Sequence, residues 1–538
     1  SRMKTAEHVV AYGFGAGYHL EALGIATDKL VSAIEPRIDV FKAALSLRDL
    51  EQCLGRLTHL VVGHTELDFI DERTELLVRP QTQVGTNEFY SQVRNKFYGV
   101  RGLKTLQPSI AVLGPIQGGT LPMLSYCTRA LSHLEQRVRP INMQEFAQGY
   151  HSISKIIGNE TLQQKCHGNY IEMLSQVVLD SISEKPIDIL LVMAQAPLSG
   201  RALTELRRQG VTTALWFVED YQRFNTWQTM APFYDFIFTI QRGPCIEAIK
   251  AAGCQEVHYV PTAADPHVHM PLQVSPEERS RWGSPISFLG AGYHNRVQMF
   301  AALANHPFKI WGTEWPEMKP FDRLVQEQGR RLSPEEYIKI FNTTDININL
   351  HSSSERDGVD PGGDFLNPRT FELASCGAFQ LVDPREYLEE VFTPGHDIAT
   401  FNDINELKDK IDYYLAHPDE RALMATRARE NVLMHHTYEH RIKEMLSIIY
   451  SARFEHLQSR FLASPWSRIL ERSKKEPELH ARCQHAFRRG EEPGLDGLLA
   501  DIATGKGALT ETEQKLLFMF HISKQMIRMK REEMGDGK

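Results

Sequence analysis

The side chains of this chain that could do chemistry gather at glycine-spaced turns and at the ends of apolar runs. Asn367 to Asp383 reads NPRTFELASCGAFQLVD, a short helix leading through a small-residue turn into a strand. Pro368 suits the first helical position, where its missing N–H costs nothing, and Gly377 stands where a helix C-terminus favours a left-handed residue. The start of such a helix, here Asn367, Arg369 and Thr370, offers backbone N–H groups and a partial positive charge that suit an anion such as a diphosphate. Glu372 lies one turn further in, within reach of ligand hydroxyls; the alternative is a glutamate that only caps or solvates its helix. A second acid, Asp220 in Glu219-Asp220-Tyr221, follows an apolar run directly. There it is either an acceptor-side general base or a helix N-cap. Asn347, Asn349 and His351 alternate toward one face of a further run, and buried polar groups in that pattern need partners, for which a bound sugar is the candidate.

These residues need strands and glycine loops to position them. Ser109 to Leu113 and Ile286 to Leu289 are apolar strands followed at once by GPIQGGT and GAGYHNR. Strand patterns at Ile187 to Met193, Thr213 to Val218 and Phe233 to Thr239 alternate with helix patterns at Arg201 to Gln209 and Pro244 to Ala252. Phe308 to Gly312, Ile346 to Leu350 and Phe379 to Val382 continue the series. Ser333 with Glu336 forms a capping box for the helix before Asn347. Near-continuous apolar runs imply strands covered on both faces, as a parallel doubly wound sheet requires. Residues 1–104 open with HVVAYGFGAG, a helix pattern and then LVSAIEP. Glu35 falls where Rossmann units keep an acid for ribose. That segment reads either as a dinucleotide or S-adenosylmethionine site or as a docking domain without a ligand, and it lacks the alternation of a complete sheet. The predicted class is α/β: a partial Rossmann-like domain (1–104), two Rossmann-like domains (105–270 and 271–450) and a helical segment (451–538).

The Asn367 segment resembles the donor-binding motif of GT-B glycosyltransferases, an acidic residue, seven residues, a glutamate and a small-Cys-Gly turn. Here the pair is Asp364 and Glu372, with Asp364 where the family more often has glutamate. With HTYEHRIKEML at 436–446, the wider resemblance is to CgeB-type glycosyltransferases over about 105–450. GFGAGYHLEAL with IEP resembles the region preceding the catalytic part of Maf-type flagellin glycosyltransferases. The resemblance implies two Rossmann-like domains in GT-B arrangement, hinged near PTAAD at 261–265, with the last helices crossing back onto the first. It assigns sugar contact to Asp364 and ribose contact to Glu372. It places Gly118, Gly119 and Thr120 at the cleft, gives Gly290, Gly292 and Arg296 to the donor diphosphate with His294 assisting, and sets Trp311 at the rim that binds the base. It also implies catalysis without a metal or other cofactor, the nucleoside diphosphate sugar being a co-substrate.

Composition fits this. The net charge of −8 and 24% charged residues give no electrostatic reason to expect nucleic acid as partner. Seven scattered cysteines without a C-x-x-C pair signal neither a disulfide framework nor a zinc site. No apolar run has the length of a membrane span and the N-terminus lacks a signal pattern, so a cytoplasmic enzyme is expected. The loop SSSERDGVDPGGDF has the composition of a lid over the ligand helix. The tail carries helical patterns alone, including one from Glu511 to Glu533, as a cap or an acceptor-docking surface. Sugar transfer to a protein such as flagellin or to a cell-surface glycan is the expected function. The alternatives are an added methyl-transfer activity in residues 1–104 and a non-catalytic scaffold that binds a protein partner.

Overall fold

The computed structural model describes residues 6–64, 67, 69–71, 73–353 and 358–533, with side chains omitted at 527, 528 and 530–533. Four residues of the expected lid, 354–357, therefore lie outside the described residues, as do the side chains of Arg528, Lys530 and Arg531 in the last helix. The strands are β1 His8–Tyr12, β2 Leu30–Glu35, β3 His59–Val62, β4 Thr74–Val78, β5 Ser109–Leu113, β6 Arg137–Ile141, β7 Ile189–Met193, β8 Thr212–Phe217, β9 Phe236–Thr239, β10 Glu256–Tyr259, β11 Ser284–Leu289, β12 Phe308–Trp311, β13 Thr344–Asn349, β14 Gln380–Val382 and β15 Ala399–Thr400. They form three sheets, ordered β3-β2-β1-β4, β10-β9-β8-β7-β5-β6 and β12-β11-β13-β14-β15, and all the pairings are parallel. Both faces of the larger sheets are buried, which explains the unbroken apolar runs: Val112 and Leu191 pack on one side of the second sheet, Leu113 and Leu190 on the other.

Parallel sheets open a crevice where the strand order reverses, beyond the carboxyl ends of the strands. In the second sheet that point lies between β5 and β7, in the third between β11 and β13. The glycine loops after β5 and β11 lead out of these two points. In the first sheet the reversal lies between β1 and β4, and there the crevice is filled by the chain itself. A Cβ on Gly13 would come within 2.1 Å of the Thr82 hydroxyl and one on Gly15 within 2.4 Å of the Arg79 guanidinium. Glu35, expected at a ribose, accepts the amides of Phe14 at 2.8 Å and Gly15 at 3.1 Å instead. The residues present do not fit a nucleotide or S-adenosylmethionine at this loop.

Two chain crossings join the second and third sheets, and they run side by side. The Ala264 amide donates to the His436 carbonyl at 3.1 Å, and the Tyr438 amide donates to the Ala264 carbonyl at 3.0 Å. Arg441 clamps the pair by donating to the Pro261 carbonyl at 3.1 Å. The helix Tyr438–Ala463, capped by Thr437 and His440, then crosses back and buries Ile442, Met445, Ile449 and Tyr450 among the side chains of β5, β7 and β9. This is the GT-B arrangement, and the HTYEHR stretch builds its hinge. The tail helices Pro465–Ser473, Pro477–Arg488 and Leu495–Ala503 form a small core with Leu516 of the final helix.

The first domain attaches through the helix Asn87–Thr105, which lies along Tyr438–Ala463. Gly99 and Gly102 permit the approach: a Cβ on Gly102 would stand 2.3 Å from Cδ2 of Tyr450. Gly102→Ala is expected to lower the Tm, because overpacking costs about 1–3 kcal/mol and outweighs the roughly 1 kcal/mol that replacing a helical glycine gains. A raised Tm in thermal denaturation would contradict this packing.

Candidate active site between the second and third sheets

A cavity of about 1260 Å³ lies between the two larger domains, above the roughly 300–1,000 Å³ of an ordinary small-ligand site. Both switch points open into it. From the second sheet come Gly118, Gly119, Thr120, Gln195 and Glu219, and from the third Gly290, Ala291, Arg296, Asn349, Asn367, Pro368, Arg369 and Glu372. The walls touch beside it: the Tyr126 and Tyr337 hydroxyls are 3.1 Å apart, and Gln241 donates to Asp364 at 2.8 Å across the domains.

The helix Pro368–Ser375 faces the cavity with its N-terminus. Asn367 caps it by accepting the Thr370 amide at 3.0 Å, Pro368 is at the first position, and Gly377 is left-handed at φ 66°. The cap is itself held from behind. His351 Nδ1 donates to Asp383 at 2.7 Å, and its Nε2 accepts the Asn367 amide at 3.0 Å. Burial holds His351 neutral by lowering its pKa, despite Asp383. Burial pushes the Asp383 carboxyl up, but His351 and Arg385 outweigh it and keep it below the ordinary range. Asn349 donates to Thr370 and Gln380 and accepts from Asn367 at 2.8 Å. Asn347 donates to the Phe379 carbonyl at 3.2 Å. The alternating polar face expected to meet a sugar is therefore satisfied by the protein. Its work is to fix the helix start, and of the three residues Asn349 alone lines the cavity.

Glu372 is 7% exposed. It accepts from Arg369 and stands 3.7 Å from Nε2 of His269. The Arg369 guanidinium lies over Tyr337, 4.9 Å from the ring centre. Arg296 reaches the cavity but is buried, donating to the Leu350 carbonyl at 3.0 and 2.8 Å and to the Ala291 carbonyl at 3.0 Å. Three of its five N–H groups are thus used, and burial brings its pKa down to about 10, still charged at neutral pH. Arg129 and Arg331 also line the cavity, Arg129 paired with Asp265. Arg129 stands on the helix Met123–His133 and Arg331 in the loop before the Ser333 cap, and neither was singled out by the sequence patterns.

On the opposite wall the acid facing the cavity is Glu219. Asp220, singled out from the sequence, accepts the Gln222 amide at 3.0 Å and so caps a turn. Glu219 accepts from Gln195 at 2.7 Å, and burial pushes its pKa up to about 7. Both acids follow the end of β8 at Phe217, with Glu219 in a bend, so the apolar run does not fix which of them turns inward.

Other expected residues lie elsewhere. Trp311 packs in the core against Trp282 with ring centres 5.2 Å apart. Gly292 serves close packing: its Cβ would meet the Glu314 carbonyl at 2.5 Å, and its amide donates to Thr313. Thr370 is fully buried, and His294 and Asp364 are not among the lining residues. Asp364 instead meets Gln241, and burial raises its pKa.

Two facing Rossmann-like domains, with a cleft cavity between them and a capped helix N-terminus beside an acid and two arginines, define the architecture, the two-domain GT-B arrangement. Residues 296–447, from the Arg296 helix to the returning hinge, match the family model described as glycosyl transferase-like. The chain is 28% identical over 245 residues to the spore protein CgeB of Bacillus subtilis, a match covering 44% of this chain and 74% of that protein. Among solved structures it is similar to Anabaena Alr3699/HepE in complex with UDP-glucose (11% identity, 64% of this chain and 100% of that one, TM-score 0.44). It is likewise similar to sucrose-phosphate synthase from Thermosynechococcus elongatus (11% identity, 66% and 100%, TM-score 0.43).

Proposed function

We propose that the chain moves a sugar from a nucleoside diphosphate sugar to a hydroxyl of a protein or cell-surface glycan. The observation that carries this reading is the opposition, across one cavity, of the Asn367-capped helix with Arg369 and Glu372 to the protonatable Glu219. The donor's diphosphate sits on the helix N-terminus near Arg369 and Arg296, and Glu372 takes a donor hydroxyl. The acceptor oxygen forms a bond to the anomeric carbon as the bond from that carbon to the diphosphate oxygen breaks. Glu219 accepts the acceptor's proton, and the arginines and helix N–H groups balance the charge on the departing diphosphate.

This chemistry needs no divalent cation at the phosphates. A hard cation takes several converging oxygen ligands; of the acids that line the cavity Glu219 stands on one wall and Glu314 and Glu372 on the other, Glu372 already being paired with Arg369. Transfer from a panel of nucleotide sugars, followed as release of nucleoside diphosphate, tests the activity itself. Turnover is expected to survive EDTA within about twofold, less than 0.5 kcal/mol in the barrier. Loss of turnover with chelator and its return with magnesium or manganese would overturn the charge assignment. Absence of release from every donor would favour the scaffold reading. Methyl transfer by residues 1–104 lacks support, because Thr82 and Arg79 take the space a cofactor needs.

A further inference from the structure

We propose that His133, His267 and Glu439 form a binding site for a transition-metal ion of the zinc class, on the outside of the hinge and apart from the donor cavity. His133 is the last residue of the helix Met123–His133 in the second-sheet domain. His267 lies on the first crossing between the domains, and Glu439 in the first turn of the helix that follows the second crossing. Their ligand atoms all lie within 4.8 Å of one another. The His133 Nδ1 and the Glu439 carboxylate are 2.5 Å apart, and the two imidazole rings stand 4.6 Å apart at 76°.

The backbone brings these three together independently of any ion. The His267 amide donates to the Asp265 carboxylate at 3.0 Å, and Asp265 is paired with Arg129, one helical turn before His133. Glu439 is set by its neighbour Tyr438, whose amide donates to Ala264 of the first crossing. Two imidazoles and one carboxylate match the ligand preferences of zinc and its neighbours rather than those of magnesium or calcium, and they leave a position for water. Ligand bonds of about 2.0–2.2 Å around a tetrahedral ion set the ligand atoms roughly 3.4 Å apart, so the His133–Glu439 pair must open from 2.5 Å while the wider separations close. Both histidines are exposed, so rotation of their side chains achieves this. The carbonyl end of the helix Met123–His133 favours a cation at His133, while the start of the Glu439 helix opposes it. One carboxylate and two neutral imidazoles must supply the balance.

An ion here would tie both crossings to one domain. None of the three residues lines the donor cavity, so its role is to fix the hinge and not to take part in sugar transfer. The test uses the tag-free full chain, stripped by chelator and titrated with cobalt(II), then zinc. One cobalt per chain is expected, with the visible absorption of a four-coordinate site, displaced by zinc and accompanied by a higher Tm. His133→Ala and Glu439→Gln should each weaken binding by more than about tenfold, the loss that removal of even an outer partner produces. The stripped variants should unfold at the Tm of the stripped wild type, which separates loss of a ligand from loss of fold. Unchanged stoichiometry and affinity in a His133→Ala, His267→Ala double variant would overturn the site, as would the absence of saturable binding at micromolar metal.

Discussion

Glu219→Gln is expected to lower kcat/KM by about 10²–10⁴, the usual contribution of a positioned general base, while leaving donor affinity near that of the wild type. Gln keeps the shape of the side chain and an oxygen for the Gln195 amide, which now donates at 2.7 Å, so the wall should stay in place. The pH dependence distinguishes this from a merely structural effect. Burial raises the Glu219 pKa to about 7, and the base must be ionised to accept a proton. Wild-type kcat/KM should therefore rise as pH rises through about 7 and level off above it. That limb should vanish in Glu219→Gln, which has no carboxyl to titrate. A limb that persists near pH 7 in the variant would assign it to another group and remove Glu219 from the reaction.

The second large effect belongs to Glu372→Gln. The side chain is almost wholly buried, paired with Arg369 and packed beside His269, so truncation to alanine would mix a cavity with the loss of a ligand contact. Gln preserves volume and isolates the charge. A hydrogen bond to a charged group is worth about 1.5–3 kcal/mol, which corresponds to roughly 10–150-fold weaker donor binding. The fold should tolerate the change, because Arg369, about a quarter exposed, can turn toward solvent. Donor Kd and turnover equal to the wild type would show that Glu372 serves only its own helix.

Much of the architecture was written in local patterns. Glycine loops behind apolar runs marked both switch points, and Pro368, Gly377, Ser333 and Glu336 occupy the turns and caps their chemistry suggests. What escaped depended on residues far apart in the chain. Nothing near β1 announces that Arg79 and Thr82, which follow β4, will fill its glycine loop. The partners of Asn349 and His351 come from Asn367, Thr370, Gln380 and Asp383, so a polar stripe that suggested ligand contact is a bracket for the ligand helix. The strand β6, interrupted by Pro140 and two arginines, and the helix Glu160–Glu184, buried chiefly at Leu174, Ser175, Val178 and Ile182, have too weak a periodicity to stand out from polar surroundings. The choice between Glu219 and Asp220 turned on the path of the bend after β8, which the apolar run does not fix.

The most direct test of the central claim, a donor site built on the Asn367 helix, is a thermal-shift titration of the full chain with nucleoside diphosphates of each base, repeated on Glu372→Gln. At a ligand concentration a hundred times its Kd, a single site stabilises the folded chain by about 2.7 kcal/mol. The account predicts saturable stabilisation of the wild type by at least one base, with a midpoint shifted to roughly 10–150-fold higher concentration in the variant. Stabilisation with the same midpoint in both proteins, or none with any base, would contradict it.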